Sequence, residues 1–206
     1  MIPLWLSLAG AHHTIMTDEG NTFDIVYIPQ IKQVKMSAKV NAGQYLSVGF
    51  DCTTMIDCDM ILFQGEGWDK GIVTDLWSPD YLAPRIDRVQ NYQDCRSEVY
   101  DGIYEFTCYR DLNTGDVQDG VIRLDEEYPM IWAESKYSSE MIMHSADGVF
   151  SIIIPSNGDH HIKVSTLDVS GKYTKLDRWA VHGILMGLAW FGMGIILIGT
   201  IRWFRE

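Results

Sequence analysis

Apolar and polar residues alternate in short runs along most of this chain, and one long apolar stretch near its C-terminal end breaks the pattern. The first runs are FDIVYI (23–28), QVKMSAKV (33–40), YLSVGF (45–50), DMILFQG (59–65) and GIVTDLW (71–77). The pattern resumes with YEFTCYR (104–110), VIRLD (121–125), MIWAES (130–135), EMIMHS (140–145), VFSIII (149–154) and HIKVSTL (161–167). These runs are rich in Val, Ile, Tyr and Phe, and turn residues separate them. Pro79, Pro84, Pro129 and Pro155 fall between runs, where no ladder needs their missing N–H. About eleven short strands at this spacing predict an all-β domain over residues 23–169, an antiparallel immunoglobulin-like β-sandwich. Residues 1–22 form an N-terminal segment before it.

The stretch from Ala180 to Ile201 holds 22 residues without Asp, Glu, Lys or Arg, and His182 is its one titratable group. As a helix it spans roughly 30 Å, the hydrocarbon thickness of a bilayer. Trp179 and Trp203 bracket it at the depths where indoles settle, and Arg202 and Arg205 follow. A buried core helix of this length would carry a polar face. The pattern predicts one C-terminal transmembrane α-helix over 179–203, joined to the sandwich by the polar tether SGKYTKLDR (170–178) and followed by a tail over 204–206. The Arg pair favours a cytoplasmic or matrix-side tail, although Lys172, Lys175 and Arg178 on the other flank pull against it. Gly183 and Gly187 form a GxxxG, and Gly192, Gly194 and Gly199 continue a small-residue surface, so other transmembrane helices are expected partners beside the lipid.

The bulk numbers narrow the classes. The formal charge of −12 on 206 residues disfavours nucleic acid as a partner. Cys52, Cys58, Cys95 and Cys108 show no CxxC spacing, which argues against zinc. Four cysteines allow three pairings, and two disulfides on the non-cytosolic side are expected. Cys95–Cys108 across a hairpin is the easiest pair to picture, and Cys52–Cys58 would close a small loop. The opening MIPLWLSLAGA has an apolar run and an Ala-Gly-Ala end like a signal peptide, without a basic start. It reads equally as an uncleaved first strand. No Asn-x-Ser/Thr sequon occurs.

Catalytic templates are absent: there is no GxSxG, HExxH, P-loop or GxGxxG. Nothing local pairs two carboxylates, so the acidic residues read as a solvated surface.

Four stretches, in order, resemble the DOMON domain, the sandwich family named from dopamine β-monooxygenase that includes the haem domain of cellobiose dehydrogenase. They are YLSVGFDCTTMIDCDMIL (45–62), GIVTDLWSPDYLAPRIDRVQNYQ (71–93), YRDLNTGDVQDGVI (109–122) and MIWAESKYSSEMIMHSADGVFSI (130–152). The resemblance implies a b-type haem held by a Met of the first stretch and a His of the fourth, here Met55 and His144. Met55 stands four residues before Asp59, as in the motif, whereas Met60, Met141 and Met143 do not. A thioether and an imidazole would fill both axial positions, which suits single-electron transfer and not oxygen activation. Trp77, Tyr81, Tyr92 and Trp132 are expected at the sandwich end near the haem or a partner, with ordinary core packing the simpler role for Trp77 and Trp132. Asp75, Asp87 and Gln90 are expected to cap turns. His144 is expected on a strand, and His160 and His161 as a solvated pair.

The apolar helix resembles the first helix of the ascorbate-reducible transmembrane b-type cytochromes, through HGILMGLAW (182–190). Those hold haem between facing His pairs on several helices, so a lone His182 reads as a relic ligand. The first functional expectation is therefore a membrane-anchored cytochrome, single-pass, with its sandwich extracellular, luminal or in the mitochondrial intermembrane space. It would exchange electrons with a redox partner protein or with ascorbate or quinol. The alternative is a haem-free accessory subunit of a larger membrane complex, docked through its helix. A third reading is a sugar- or ligand-binding module on a stalk.

Overall fold

The structure, a computed structural model, describes residues 15–66, 70–159 and the backbone of 163–166. The chain divides into two compact units, Met1–Leu167 and Asp168–Glu206. The second unit, with the expected tether and membrane helix, lies outside the described residues, as do MIPLWLSLAGA, His160, His161 and His182. Among the described residues no helix is long and apolar enough to cross a membrane.

The described part is all β. In chain order the strands are Ile15–Met16 (β1), Thr22–Ile28 (β2), Gln33–Asn41 (β3), Tyr45–Phe50 (β4), Cys58–Gln64 (β5) and Ile72–Ser78 (β6). They continue with Arg85–Ile86 (β7), Gln93–Tyr100 (β8), Ile103–Asp111 (β9), Glu127–Ser135 (β10), Ala146–Ile153 (β11) and Lys163–Thr166 (β12). Two antiparallel sheets result, one of five strands ordered β1-β2-β3-β9-β8 and one of seven ordered β12-β11-β10-β4-β5-β6-β7.

Alternation places the core. In β3, Val34, Met36, Ala38 and Val40 are buried, and they register with Arg110, Cys108, Phe106 and Tyr104 of β9, all buried too. Leu46, Val48 and Phe50 of β4 and Ile61 and Phe63 of β5 face them from the other sheet in one apolar cluster. Phe63 lies 5.4 Å from Phe106 and 6.2 Å from Phe23, ring centre to ring centre, in tilted contacts typical of aromatic cores.

The seven-stranded sheet departs from simple alternation. Every residue of β5 but Gln64 is buried. Its second face carries a separate apolar cluster of Tyr45, Cys52, Cys58, Met60, Leu62 and Leu76, with Met55 and Ile131 packed against it. A sheet face of this kind needs a cover other than water, and loops supply it.

Three strand expectations are corrected. Residues 121–125 and 140–145 are irregular loops, and 93–100 is a strand. β8 is an edge strand with mostly exposed polar side chains, so it lacks the apolar run that marks a buried strand. The β8–β9 hairpin turns through Asp101 and Gly102, both at positive φ (50° and 76°), which suits Asp-Gly. Pro129 lies inside β10, not between runs. There β10 pairs with β11 alone, since its ladder with β4 begins at Met130, and the missing N–H is not required. The cysteines form Cys52–Cys58 and Cys95–Cys108.

Candidate functional site

Loops from both ends of the seven-stranded sheet fold over its outer face. The β4–β5 loop carries Met55, and Cys52–Cys58 ties its two ends together. The β10–β11 loop carries His144 and starts beyond Ser135, which registers with Tyr45 at the opposite end of β4. Between them lies a cavity of about 600 Å³ that both Met55 and His144 line. Its floor is cut low by the small residues Ser47, Gly49 and Ala133, and apolar side chains from Met60, Leu62 and Ile131 surround them. The volume and apolar lining match a site for an organic ligand or cofactor.

Specific contacts hold the His144 loop down. Tyr45 donates its hydroxyl to the Ile142 carbonyl at 2.7 Å, and Gln64 Nε2 donates to the Ser139 carbonyl at 2.7 Å. Burial pushes the Tyr45 phenol up to about 12, so it remains a donor at neutral pH. The Ser145 amide donates to the Glu134 carbonyl at 2.8 Å, anchoring the loop where β11 begins. His144 is half-buried, in a loop and not on a strand as expected, and its Nδ1 lies 3.3 Å from Asp147 Oδ1. That pairing leaves Nε2 as the ring nitrogen available to a ligand.

Met60, Met141 and Met143 line the same cavity, from β5 and from the His144 loop. Tyr81 lines it from the segment before β7 and is 66% exposed, at the rim. Trp132 borders the cavity but is buried in the main core. Trp77 donates Nε1 to Asp57 Oδ1 at 3.2 Å, outside the cavity. Tyr92 packs instead against Arg110, whose guanidinium lies 5.5 Å from its ring centre.

Sequence reasoning missed a second constellation, on the inner face of the same sheet. Asp59, Asp75 and Asp119 come together around Arg110; Asp59, Asp75 and Arg110 are buried, and the side chain of Asp119 is 2% exposed. Arg110 Nη2 lies 2.8 Å from Asp59 Oδ2 and 3.2 Å from Asp119 Oδ2. Burial raises Asp59 to about 6 against the pull of Arg110, and raises Asp75 to about 7, with Asp119 and Asp59 adding repulsion. Burial alone would lower Arg110, but Tyr92 and the three carboxylates hold it above its ordinary value. Asp87 and Gln90 hold the 87–90 turn as expected, whereas Asp75 reaches from β6 to the distant Asn91. Asp75 Oδ2 accepts from the Asn91 amide, Asp87 Oδ1 from the Val89 amide, and Gln90 bridges the Asp75 and Asp87 carbonyls.

No curated protein sequence matches the chain. Among solved structures, the chain is similar to the cytochrome domain of Myriococcum thermophilum cellobiose dehydrogenase at 11% identity and a TM-score of 0.51, covering 76% of this chain and 89% of that one. It also matches the cytochrome b domain of pyranose dehydrogenase from Coprinopsis cinerea at 12% identity and a TM-score of 0.47, covering 73% and 87%. At sequence level, residues 26–135 match the DOMON domain, a span that takes in Met55 and the acidic constellation and stops before His144. That match runs over more than half of the chain, through nine of its strands, and on it the chain belongs to the DOMON domain family.

Proposed function

We propose that the chain is a membrane-anchored, single-electron carrier whose sandwich holds a b-type haem between Met55 and His144. The observation that carries this reading is the meeting of those two side chains on one apolar cavity, delivered by loops from opposite ends of a sheet. The residues present fit the group. The donor set pairs a thioether with an imidazole, and the floor of Ser47, Gly49 and Ala133 leaves room for a flat macrocycle. When bound, haem supplies reversible one-electron chemistry at its iron.

The protein's own part is ligation and exclusion. Met55 Sδ and His144 Nε2 would hold the group, which would then supply electron transfer and not oxygen activation. Asp147 would fix the imidazole through Nδ1, and the loops would keep water from the apolar cavity. Two disulfides accord with a sandwich on the non-cytosolic side of its membrane. The apolar stretch over 179–203 would be the anchor, and a redox partner protein, ascorbate or quinol the source or sink of electrons.

A dithionite-reduced minus oxidised absorption spectrum of the purified chain tests the proposal, beside Met55→Leu and His144→Ala. We expect a sharp b-type α-band in wild type, lost from both variants. A folded wild-type chain without that band would overturn the carrier and leave a haem-free accessory subunit docked through its helix.

A further inference from the structure

From the buried acidic constellation we infer a second site, for a divalent cation, of which calcium suits the donors best. One carboxylate oxygen from each of Asp59, Asp75 and Asp119 lies within 4.8 Å of the others. Acidic neighbours are common, but these are not on the surface. The side chains of Asp59 and Asp119 are each 2% exposed, and Asp75 is 1% exposed.

What marks a ligand site is the way the oxygens divide. Each carboxylate gives Oδ2 to the protein. Asp59 Oδ2 receives Arg110 and the Gly120 amide, Asp119 Oδ2 receives Arg110 and Asn91 Nδ2, and Asp75 Oδ2 receives the Asn91 amide. Oδ1 of all three is buried with no hydrogen-bond partner. Each member of the cluster thus carries one buried oxygen without a partner, and three such oxygens are costly to leave unmet. The Tyr92 hydroxyl is a fourth buried oxygen without a partner. Its ring lies beside Arg110, and its phenol is raised well above its ordinary value by burial and by these same charges.

Charge points the same way. Among the described residues Arg110 is the one cation paired with the constellation, so three negative charges meet one positive and two remain. A divalent ion cancels that remainder. Hard oxygen donors without nitrogen or sulfur select calcium or magnesium over transition metals. Calcium tolerates the irregular arrangement that three carboxylates from separate segments impose, where magnesium demands an octahedron. The upward shifts of Asp59 and Asp75 are the response of the same carboxylates when protons are the only cations at hand.

The site is distinct from the cavity. β5 sends Met60 and Leu62 to the cavity side and Asp59 into the sandwich, so the two lie on opposite faces of one strand. The ion would tie β5 and β6, neighbours in one sheet, to the 112–126 segment.

The test uses the full chain in detergent, stripped with EDTA, with calcium chloride as the probe. Isothermal titration calorimetry should show one calcium per chain, and Tm should rise with added calcium. Asp75→Asn keeps the side-chain size and its bond to Asn91, and it should weaken calcium binding by roughly tenfold or more. Asp119→Asn, the second variant should the first fail to fold, should do the same. Glu105→Gln, on the exposed face of β9, should leave binding unchanged. A folded wild-type chain that gives neither heat nor a Tm shift with calcium, magnesium or manganese would mean that protons or water meet these oxygens, and would overturn the site. Calcium binding that survives in both Asp variants would place the ion elsewhere and overturn it equally. The haem spectrum plays no part in either outcome.

Discussion

Arg110 shows how far single residues can be read from sequence. It sits in YEFTCYR, where alternation marks it as inward-facing, yet an arginine in a core is the assignment that periodicity argues against. Its partners come from β5 and from the segment after β9, and no local spacing announces them. Met55 could be singled out because its position relative to Asp59 is local, and it lines the cavity. The acidic constellation could not, because residues 59, 75, 110 and 119 meet only after the sheets pair. Arg110 also packs 5.6 Å over the Phe50 ring, so the site loses packing as well as charge when it is truncated. Arg110→Ala leaves Asp59 and Asp119 buried without a counter-charge and should cost about 3–5 kcal/mol. A lowered urea midpoint checks this, and an unchanged one would show that the carboxylates accept protons at no cost.

At the scale of elements, the strands that sequence displays are those with one apolar face or two. β4 was predicted to the residue, and β2, β3, β5 and β9 within one or two. β8 was hidden because both of its faces are largely exposed, and the EMIMHS run misled because its apolar residues cover a cavity and do not join a ladder. Such a run satisfies a strand template while its backbone is spent on a loop. The β10–β11 pair adds a constraint that no pattern carries: Gly148 registers with Trp132, and a Cβ there would stand 2.5 Å from the indole nitrogen. Trp132 is buried in the main core, so its ring shifts only by disturbing that packing. Gly148→Ala should therefore lose about 1–3 kcal/mol by overpacking, read as a lower Tm in thermal denaturation.

For the whole molecule, the sandwich was readable because turn chemistry and period-two patterning agree over most of its length. Its second apolar layer was not, since a strand buried on both faces loses the alternation that would place it. The buried carboxylates give the folded chain a pH dependence opposite to the usual acidic protein. Asp75 and Asp59 hold protons in the folded state up to about 7 and about 6, whereas unfolded Asp releases them near 3.8. Between these values the folded chain binds more protons than the unfolded one, so stability is greatest at the acid end and falls as pH rises. Denaturant titrations of the EDTA-treated chain from pH 4 to pH 8 should show that decline, and calcium should flatten it. A rise in stability over this range would contradict the burial of both groups as acids.

The Cys52–Cys58 bond has a kinetic consequence. Met55 stands midway between the two cysteines, so its loop gives up its freedom when the bond forms, before anything enters the cavity. The opposite wall is closed by noncovalent contacts, chiefly those from Tyr45 and Gln64 to the His144 loop. Entry and escape of a cavity ligand would then be governed from one side. The thioether wall would then act as the fixed jaw, and the residence time of a cavity ligand would follow how often the imidazole wall lifts.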